Sequence, residues 1–183
     1  MDRRRFVLTG SAAASAALLA APASAFSLPI HLQPTRVAVR ETFPAGSIVV
    51  VPATHFLYWI EPGGTAMRYG VGVGKAGLEF QGQATIKRKA EWPDWRPTDE
   101  MIERDPEQYE QFADGVPGGP GNPLGSRALY LYQGNVDTYY RIHGTTAPRS
   151  IGRSVSNGCI RMLDVHVEDL YERVPLGTPV TVL

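Results

Sequence analysis

The stretch HGTTAPRSIGRSVSNGCIRM, residues 143–162, holds a histidine, a glycine-flanked cysteine and an arginine within a short span. A cysteine attacks as its thiolate, and a nearby imidazole both accepts the thiol proton and stabilises the resulting charge. His143 and Cys159 are too far apart along the chain for one element to join them. If His143 ends one strand and Cys159 begins the next, the loop 144–156 can return the chain. The stretch therefore predicts a sheet that sets both side chains at neighbouring strand ends.

The residue types alone leave a second interpretation open. Cys159 is the only cysteine, so no intramolecular disulfide can form. A lone thiol is buried and inert, paired with another chain, or reactive, and a single histidine is often structural. In the reactive case, Gly158 would allow close backbone approach, and the amides around Gly158 and Cys159 would hold an oxyanion.

Short β-type runs bounded by turn residues fill much of the chain, whose hydrophobic content of 43% suits one domain with a real core. Neighbouring runs are expected to pair antiparallel. The runs cover residues 47–51, 55–60, 66–71, 84–89, 128–132, 137–143 and 178–183. They predict a mainly β domain.

One helix is predicted near the C-terminus, where apolar residues recur at i, i+3, i+4 and i+7 between Asp164 as N-cap and Pro175. The apolar residues are Val167, Leu170, Tyr171 and Val174. His166, in the first turns, is predicted to be a surface group.

Residues 91–125 differ from the rest in being rich in proline, glycine and acidic residues. They carry Trp92 and Trp95, and Thr98 is placed to begin a short helix. A connection of this length is typical of a lid or binding loop.

The N-terminal segment has the pattern of a secretory signal peptide, with Arg3–Arg5 followed by an alanine-rich apolar run that ends in Ala23-Ser24-Ala25. The arginines also resemble a twin-arginine signal. The alternative is an uncleaved anchor, although the apolar run is shorter than the about 20 residues that a membrane span needs. We expect a signal peptide at 1–25, an N-terminal extension at 26–45 and the domain at 46–183, exported to the periplasm or cell envelope without stable membrane insertion after cleavage.

Charge and histidine spacing exclude two classes of site. Lys and Arg total 18, as do Asp and Glu, so the chain lacks the positive charge that binding nucleic acid requires. The four histidines and one cysteine have no metal-ligand spacing, so no metal site is predicted.

The string from His143 to Met162 resembles the active-site motif of the YkuD-type L,D-transpeptidase family, in which His-Gly-Thr is followed by Ser-x-Gly-Cys-Ile-Arg-Met. Further pieces agree in type and order: Gly72-x-Gly74-Lys75, GNPLG at 121–125 and GTPVTV at 177–182. The likeness runs from about Gly46 to the C-terminus. It implies a YkuD-like β-sandwich or mixed sheet with a long lid-like loop and one helix in the C-terminal region, and makes 46–183 a catalytic domain.

The resemblance also implies roles for individual residues. Cys159 matches the acylated nucleophile and His143 the general base and acid, with the backbone carbonyl of Gly144 as the third member of the triad. The residues matched to substrate binding are Arg161, Asn157, Ser156 and Gly158. Arg161 is expected to bind a substrate carboxylate or to form a structural ion pair. Ser156 is expected to be a turn residue or to hydrogen-bond within its loop. Asn157 stands where many members have a histidine. An asparagine side chain cannot move a proton at neutral pH, so we expect Asn157 to position substrate.

The implied function is cysteine-dependent acyl transfer on peptidoglycan stem peptides, without a cofactor. The third residue of a tetrapeptide stem would be transferred to an amine of a neighbouring stem or of a wall-anchored protein, with release of D-alanine. Two alternatives remain: an L,D-carboxypeptidase or endopeptidase acting on the same substrate, and a non-catalytic peptidoglycan-binding module.

Overall fold

The computed structural model describes residues 26–40, 42–78 and 80–183. The predicted signal peptide, 1–25, lies outside the described residues. The strands are β1 (Thr35–Ala38), β2 (Ile48–Val51), β3 (Phe56–Glu61), β4 (Thr65–Gly70), β5 (Val73–Gly74), β6 (Gly82–Glu91), β7 (Arg127–Gln133), β8 (Val136–His143), β9 (Ser154–Ser156), β10 (Ile160–Arg161) and β11 (Pro179–Val182). The α-helices are α1 (Asp99–Arg104), α2 (Pro106–Tyr109) and α3 (Asp164–Arg173).

A nine-stranded mixed sheet runs in the order β1-β4-β3-β2-β11-β6-β7-β8-β10. The predicted antiparallel pairing of chain neighbours is confirmed for β2 with β3, β3 with β4, β6 with β7, and β7 with β8. Two parallel pairs, β2 with β11 and β8 with β10, were not predicted. The mainly β fold with a mixed sheet is therefore as expected. Its central strand β11 and its edge strand β10, however, are placed by pairing between strands that the sequence did not predict to be partners.

The core lies between this sheet and α3, which packs against β7 and β8. The predicted apolar stripe is confirmed, since Val167, Leu170 and Val174 are almost fully buried. Each such side chain contributes about 1.5–3 kcal/mol when removed from water.

Two predictions about the start of α3 were wrong. The N-cap is Leu163, which makes no side-chain capping bond. Asp164 is the first helical residue, and its Oδ1 instead accepts a hydrogen bond from Thr145 N at 3.0 Å, tying the helix to the loop after β8. His166 is buried rather than at the surface, with its ring near Tyr69.

The segment before residue 46 adds an edge strand, because β1 pairs antiparallel with β4. Leu28 and Leu32 form a small apolar cluster with Ile151. His55, predicted in a strand, is instead in a left-handed conformation after the 3₁₀ turn Pro52–Thr54. No helix among the described residues is both long and apolar enough to cross a membrane.

The long segment 91–125 contains α1, α2 and the 3₁₀ turn Glu110–Phe112, which together we call the lid (residues 99–112). Thr98 caps α1 as predicted, its Oγ1 accepting from Met101 N at 3.2 Å. Trp95 packs edge-on against Tyr109 and Phe112. These aromatic contacts hold the lid together.

Candidate active site

Two rows of side chains cross β6, β7, β8 and β10 on one face of the sheet. Residues two apart on a strand face the same side, so residues paired across these strands form lateral rows. The first row is Arg88, Tyr130 and Arg141, and extending the register of β8 with β10 by one residue adds Cys159 to it. The second row is Ala90, Ala128, His143 and Arg161. His143 is the last residue of β8 and Cys159 directly precedes β10. The parallel pairing of these strands, which the sequence did not predict, brings both residues to one face.

The imidazole of His143 is buried and hydrogen-bonded to its neighbour's backbone. Its Nδ1 lies 2.6 Å from the carbonyl oxygen of Gly144, which can only accept, so Nδ1 carries the proton. This leaves Nε2 as the basic nitrogen. Burial, and then the nearby charge of Arg161, lower the pKa of His143 to about 3, so the ring is neutral at pH 7.

The thiol of Cys159 is half-buried. Burial raises the pKa of the Cys159 thiol, against smaller opposing effects from Arg141 and Arg161. Its Sγ donates to the carbonyl oxygen of Tyr139 at 3.8 Å, and Tyr139 has a φ of 60°, at an irregular point in the pairing of β7 with β8. The cavity is therefore lined by both a neutral thiol and a neutral imidazole.

The loop before the cysteine is held by Ser156. Its Oγ donates to the carbonyl oxygen of Cys159 at 2.6 Å and accepts from Gly158 N at 3.1 Å. The Gly158 amide is thus already bonded, so of the two amides predicted to hold an oxyanion, that of Cys159 is the better candidate. Gly158 has a φ of 117°, and a Cβ there would overlap the Tyr140 ring and the Leu78 carbonyl. Only glycine fits before the cysteine.

Asn157 contacts the lid through both polar atoms of its side chain. Its Oδ1 accepts from Arg104 Nη2 at 3.0 Å, and its Nδ2 donates to Tyr109 Oη at 2.7 Å. The sequence predicts a substrate-positioning residue here, and the structure adds a direct link from the cysteine loop to the lid. Nothing in the sequence signals partners about 50 residues away.

A cavity of about 1020 Å³ opens over the two rows. His143 and Cys159 line it, with the lid forming one wall. Arg161 also lines the cavity, and within the described ranges it forms no ion pair. This favours ligand binding over the structural ion pair as its expected role.

In the part of the chain that the structure describes, no group of three or more His, Cys, Asp or Glu side chains is placed to hold a metal ion.

Residues 45–182 match the sequence model of the YkuD family, described as the L,D-transpeptidase catalytic domain. The chain belongs to this family. The probable L,D-transpeptidase ErfK/SrfK of Escherichia coli K12 is 33% identical over 152 residues, which cover 82% of this chain and 47% of that protein. The chain thus spans about half the length of this relative.

Solved structures share the fold of the family. The Enterococcus faecium L,D-transpeptidase C442S mutant is 17% identical with a TM-score of 0.57, covering 76% of this chain and 50% of that chain. A Brucella melitensis structure is 60% identical with the same TM-score of 0.57, and the match covers 82% of this chain and 93% of that chain. That protein is named a probable carnitine operon oxidoreductase, caia.

The YkuD motif accounts for Cys159, His143 and Gly144, but other parts of the site were missed. The lid partners of Asn157 and the first row beyond Cys159 depend on strand register, which the motif does not contain. Arg88 is in phase with buried Ala84 and Ile86, and it reaches the cavity face only through the irregular pairing between Ile86 and Arg88, so no local pattern indicated it.

Proposed function

We propose that the chain is a peptidoglycan L,D-transpeptidase in which Cys159 is the nucleophile and His143 the general base and acid. The observation that carries the proposal is the 2.6 Å contact between His143 Nδ1 and Gly144 O. It fixes the tautomer in which Nε2 is free to take a proton, within the cavity that Cys159 also lines.

In the first half-reaction, Cys159 Sγ attacks the carbonyl carbon at the L-centre of the third residue of a tetrapeptide stem, while the thiol proton passes to His143 Nε2. The oxyanion is held by the Cys159 amide. The C–N bond then breaks, and D-alanine leaves with the proton from His143. A thioester on Cys159 remains.

In the second half-reaction, an amine attacks the thioester carbonyl and gives a proton to His143. The C–S bond breaks, and the proton returns to the sulfur. The acceptor is an amine of a neighbouring stem or of a protein side chain, so the product is a cross-link or an anchored protein.

Cys159 and His143 are both neutral before attack. Because burial raises the pKa of Cys159 and lowers that of His143, the thiolate forms only as attack begins. The guanidinium of Arg161, which forms no ion pair among the residues that the structure describes, would bind a substrate carboxylate near the reacting centre. The lid wall would exclude water, which otherwise hydrolyses the thioester. We further propose that the protein acts after export, in the periplasm or cell envelope.

The test is incubation of the full chain and of its Cys159→Ala variant with a disaccharide tetrapeptide, followed by mass spectrometry of protein and products. A thioacyl adduct on the wild type alone, followed by a dimeric muropeptide, supports the proposal. An adduct that resolves only to free tripeptide makes the protein a carboxypeptidase. Absence of any adduct refutes acyl transfer.

A further inference from the structure

The ring of Tyr130 lies between two guanidinium groups in the cavity. Arg88 Cζ is 4.2 Å from the ring centroid, and Arg141 Cζ is 4.3 Å from it. Both distances are within cation–π range. The three residues belong to the first row, which ends at Cys159.

The two guanidinium groups differ in their charge compensation. Arg141 forms a bidentate pair with Asp137, at 2.7 Å and 3.0 Å. Across the described ranges, Arg88 has neither an ion-pair partner nor a side-chain hydrogen bond; stacking holds it in place, and its charge faces an open cavity. A stacked guanidinium keeps its donors available for a carboxylate.

Strand spacing gives the distance of this charge from the nucleophile. Neighbouring strands are about 4.8 Å apart, and β6 lies three strands from β10 in the sheet. Because the Tyr130 ring separates the Arg88 guanidinium from that of Arg141, the Arg88 charge lies on the β6 side of the ring, about 14 Å from the nucleophile along the row. We infer that Arg88 forms an anion subsite for a carboxylate two to three residue lengths before the reacting carbonyl of the acyl donor.

This inference rests on the proposed function and narrows its substrate. If the second residue is linked through its γ-carboxyl, its free α-carboxylate lies seven bonds, at most about 9 Å, from the reacting carbonyl of the third residue and would reach Arg88. A donor amidated at that α-carboxyl would offer no charge. Arg88 would therefore favour donors that are not amidated. Arg161, at the end of the second row beside His143, binds nearer the reacting centre, so the two arginines define separate anion contacts.

The kinetic test compares two synthetic tetrapeptides, Ala-γ-D-Glu-Lys-D-Ala and its form with the glutamate α-carboxyl amidated, by the rate of Cys159 acylation. An exposed ion pair predicts that Arg88→Gln lowers kcat/KM for the acidic peptide about threefold to fivefold and leaves the amidated peptide unchanged. Arg88→Lys should recover part of the loss, and high salt should shrink it. The matched control is Lys87→Gln, an equal loss of charge at a neighbour that bonds Asn135 outside the cavity.

A binding measurement separates this inference from the proposed function. Calorimetry with Cys159→Ala, which cannot be acylated, measures affinity for both peptides with and without Arg88→Gln. A preference for the acidic peptide that disappears with Arg88→Gln supports the subsite even if the wild type forms no thioester. Equal effects of Arg88→Gln on both peptides, or none on either, overturn it even if acylation proceeds.

Discussion

Replacing Asn157 with alanine removes both hydrogen bonds that join the cysteine loop to the lid. One comes from Arg104 at 3.0 Å and the other goes to Tyr109 at 2.7 Å. A hydrogen bond of this kind contributes about 0.5–1.5 kcal/mol net, so their loss should weaken lid docking by about 2 kcal/mol. Since 1.4 kcal/mol is a tenfold change, the ratio of docked to undocked lid should fall about thirtyfold.

Hydrogen exchange measures this change directly. The backbone amides of residues 99–112 should exchange faster in Asn157→Ala, because the lid opens more often. Tyr109→Phe removes one of the bonds but keeps the ring against Trp95, so its effect should be about half as large. Asn135→Ala makes the same chemical change at an exposed turn and should leave lid exchange unchanged.

Asn157→Ala also tests whether the lid affects how much of the thioester is hydrolysed by water and how much is transferred to an amine. If the docked lid excludes water, Asn157→Ala should raise the share of free tripeptide over cross-linked product, with Cys159 still acylated. Unchanged exchange in the lid would refute the link through Asn157. Faster exchange with an unchanged product ratio would refute water exclusion by the lid.

Three other perturbations have defined outcomes. In Gly144→Ala, the new Cβ would overlap Asp164 Oδ1 and displace the carbonyl that orients His143. The free energy of unfolding in urea should therefore fall by about 1–3 kcal/mol, and acylation of Cys159 should slow. Wild-type values for both would contradict this geometry. Burial lowers the pKa of His143 below its value in the unfolded chain, so the unfolded state takes up a proton at a higher pH than the folded state. As the pH drops below about 6.5, the free energy of unfolding should decrease by up to about 1.4 kcal/mol per pH unit. His143→Gln should make this decrease smaller. Burial also lowers the pKa of His166, whose buried Nδ1 has no hydrogen-bond partner within the described part of the chain, so His166→Leu should gain more stability at pH 5 than at pH 8. An equal change in the free energy of unfolding at both pH values would show that protonation of His166 does not contribute.

Local sequence patterns predicted the elements better than their partners. The spacing of Val167, Leu170 and Val174 identified α3 because a single apolar face is a local property. The edge strand β1 was missed, because Thr35–Ala38 is largely exposed and shows no alternation of apolar and polar residues. The wrong N-cap has a similar cause, since Asp164 was assigned by residue type, whereas its carboxylate accepts a hydrogen bond from a loop residue 19 positions earlier.

In the candidate active site, too, the sequence predicted local features but not long-range contacts. His143, Gly144 and Cys159 lie in one continuous motif, so the sequence placed them together. The bonds of Asn157 to Arg104 and Tyr109, and the stacking of Arg88 on Tyr130, join residues 40 or more positions apart. Such contacts follow from strand register and lid docking, which no local pattern specifies.

The position of β11 has a consequence for how the chain acquires its structure. The halves β1-β4-β3-β2 and β6-β7-β8-β10 join in the large sheet only through this strand, with Ile48 opposite Val180. The first half contains two hairpins that close over short loops, and the second contains one, β7 with β8, whereas pairing β2 with β11 closes a loop of about 130 residues. We therefore expect rapid formation of two separate hairpin units and a slow final docking of β11, so that the cavity over β6–β10 matures before the complete domain becomes resistant to proteolysis.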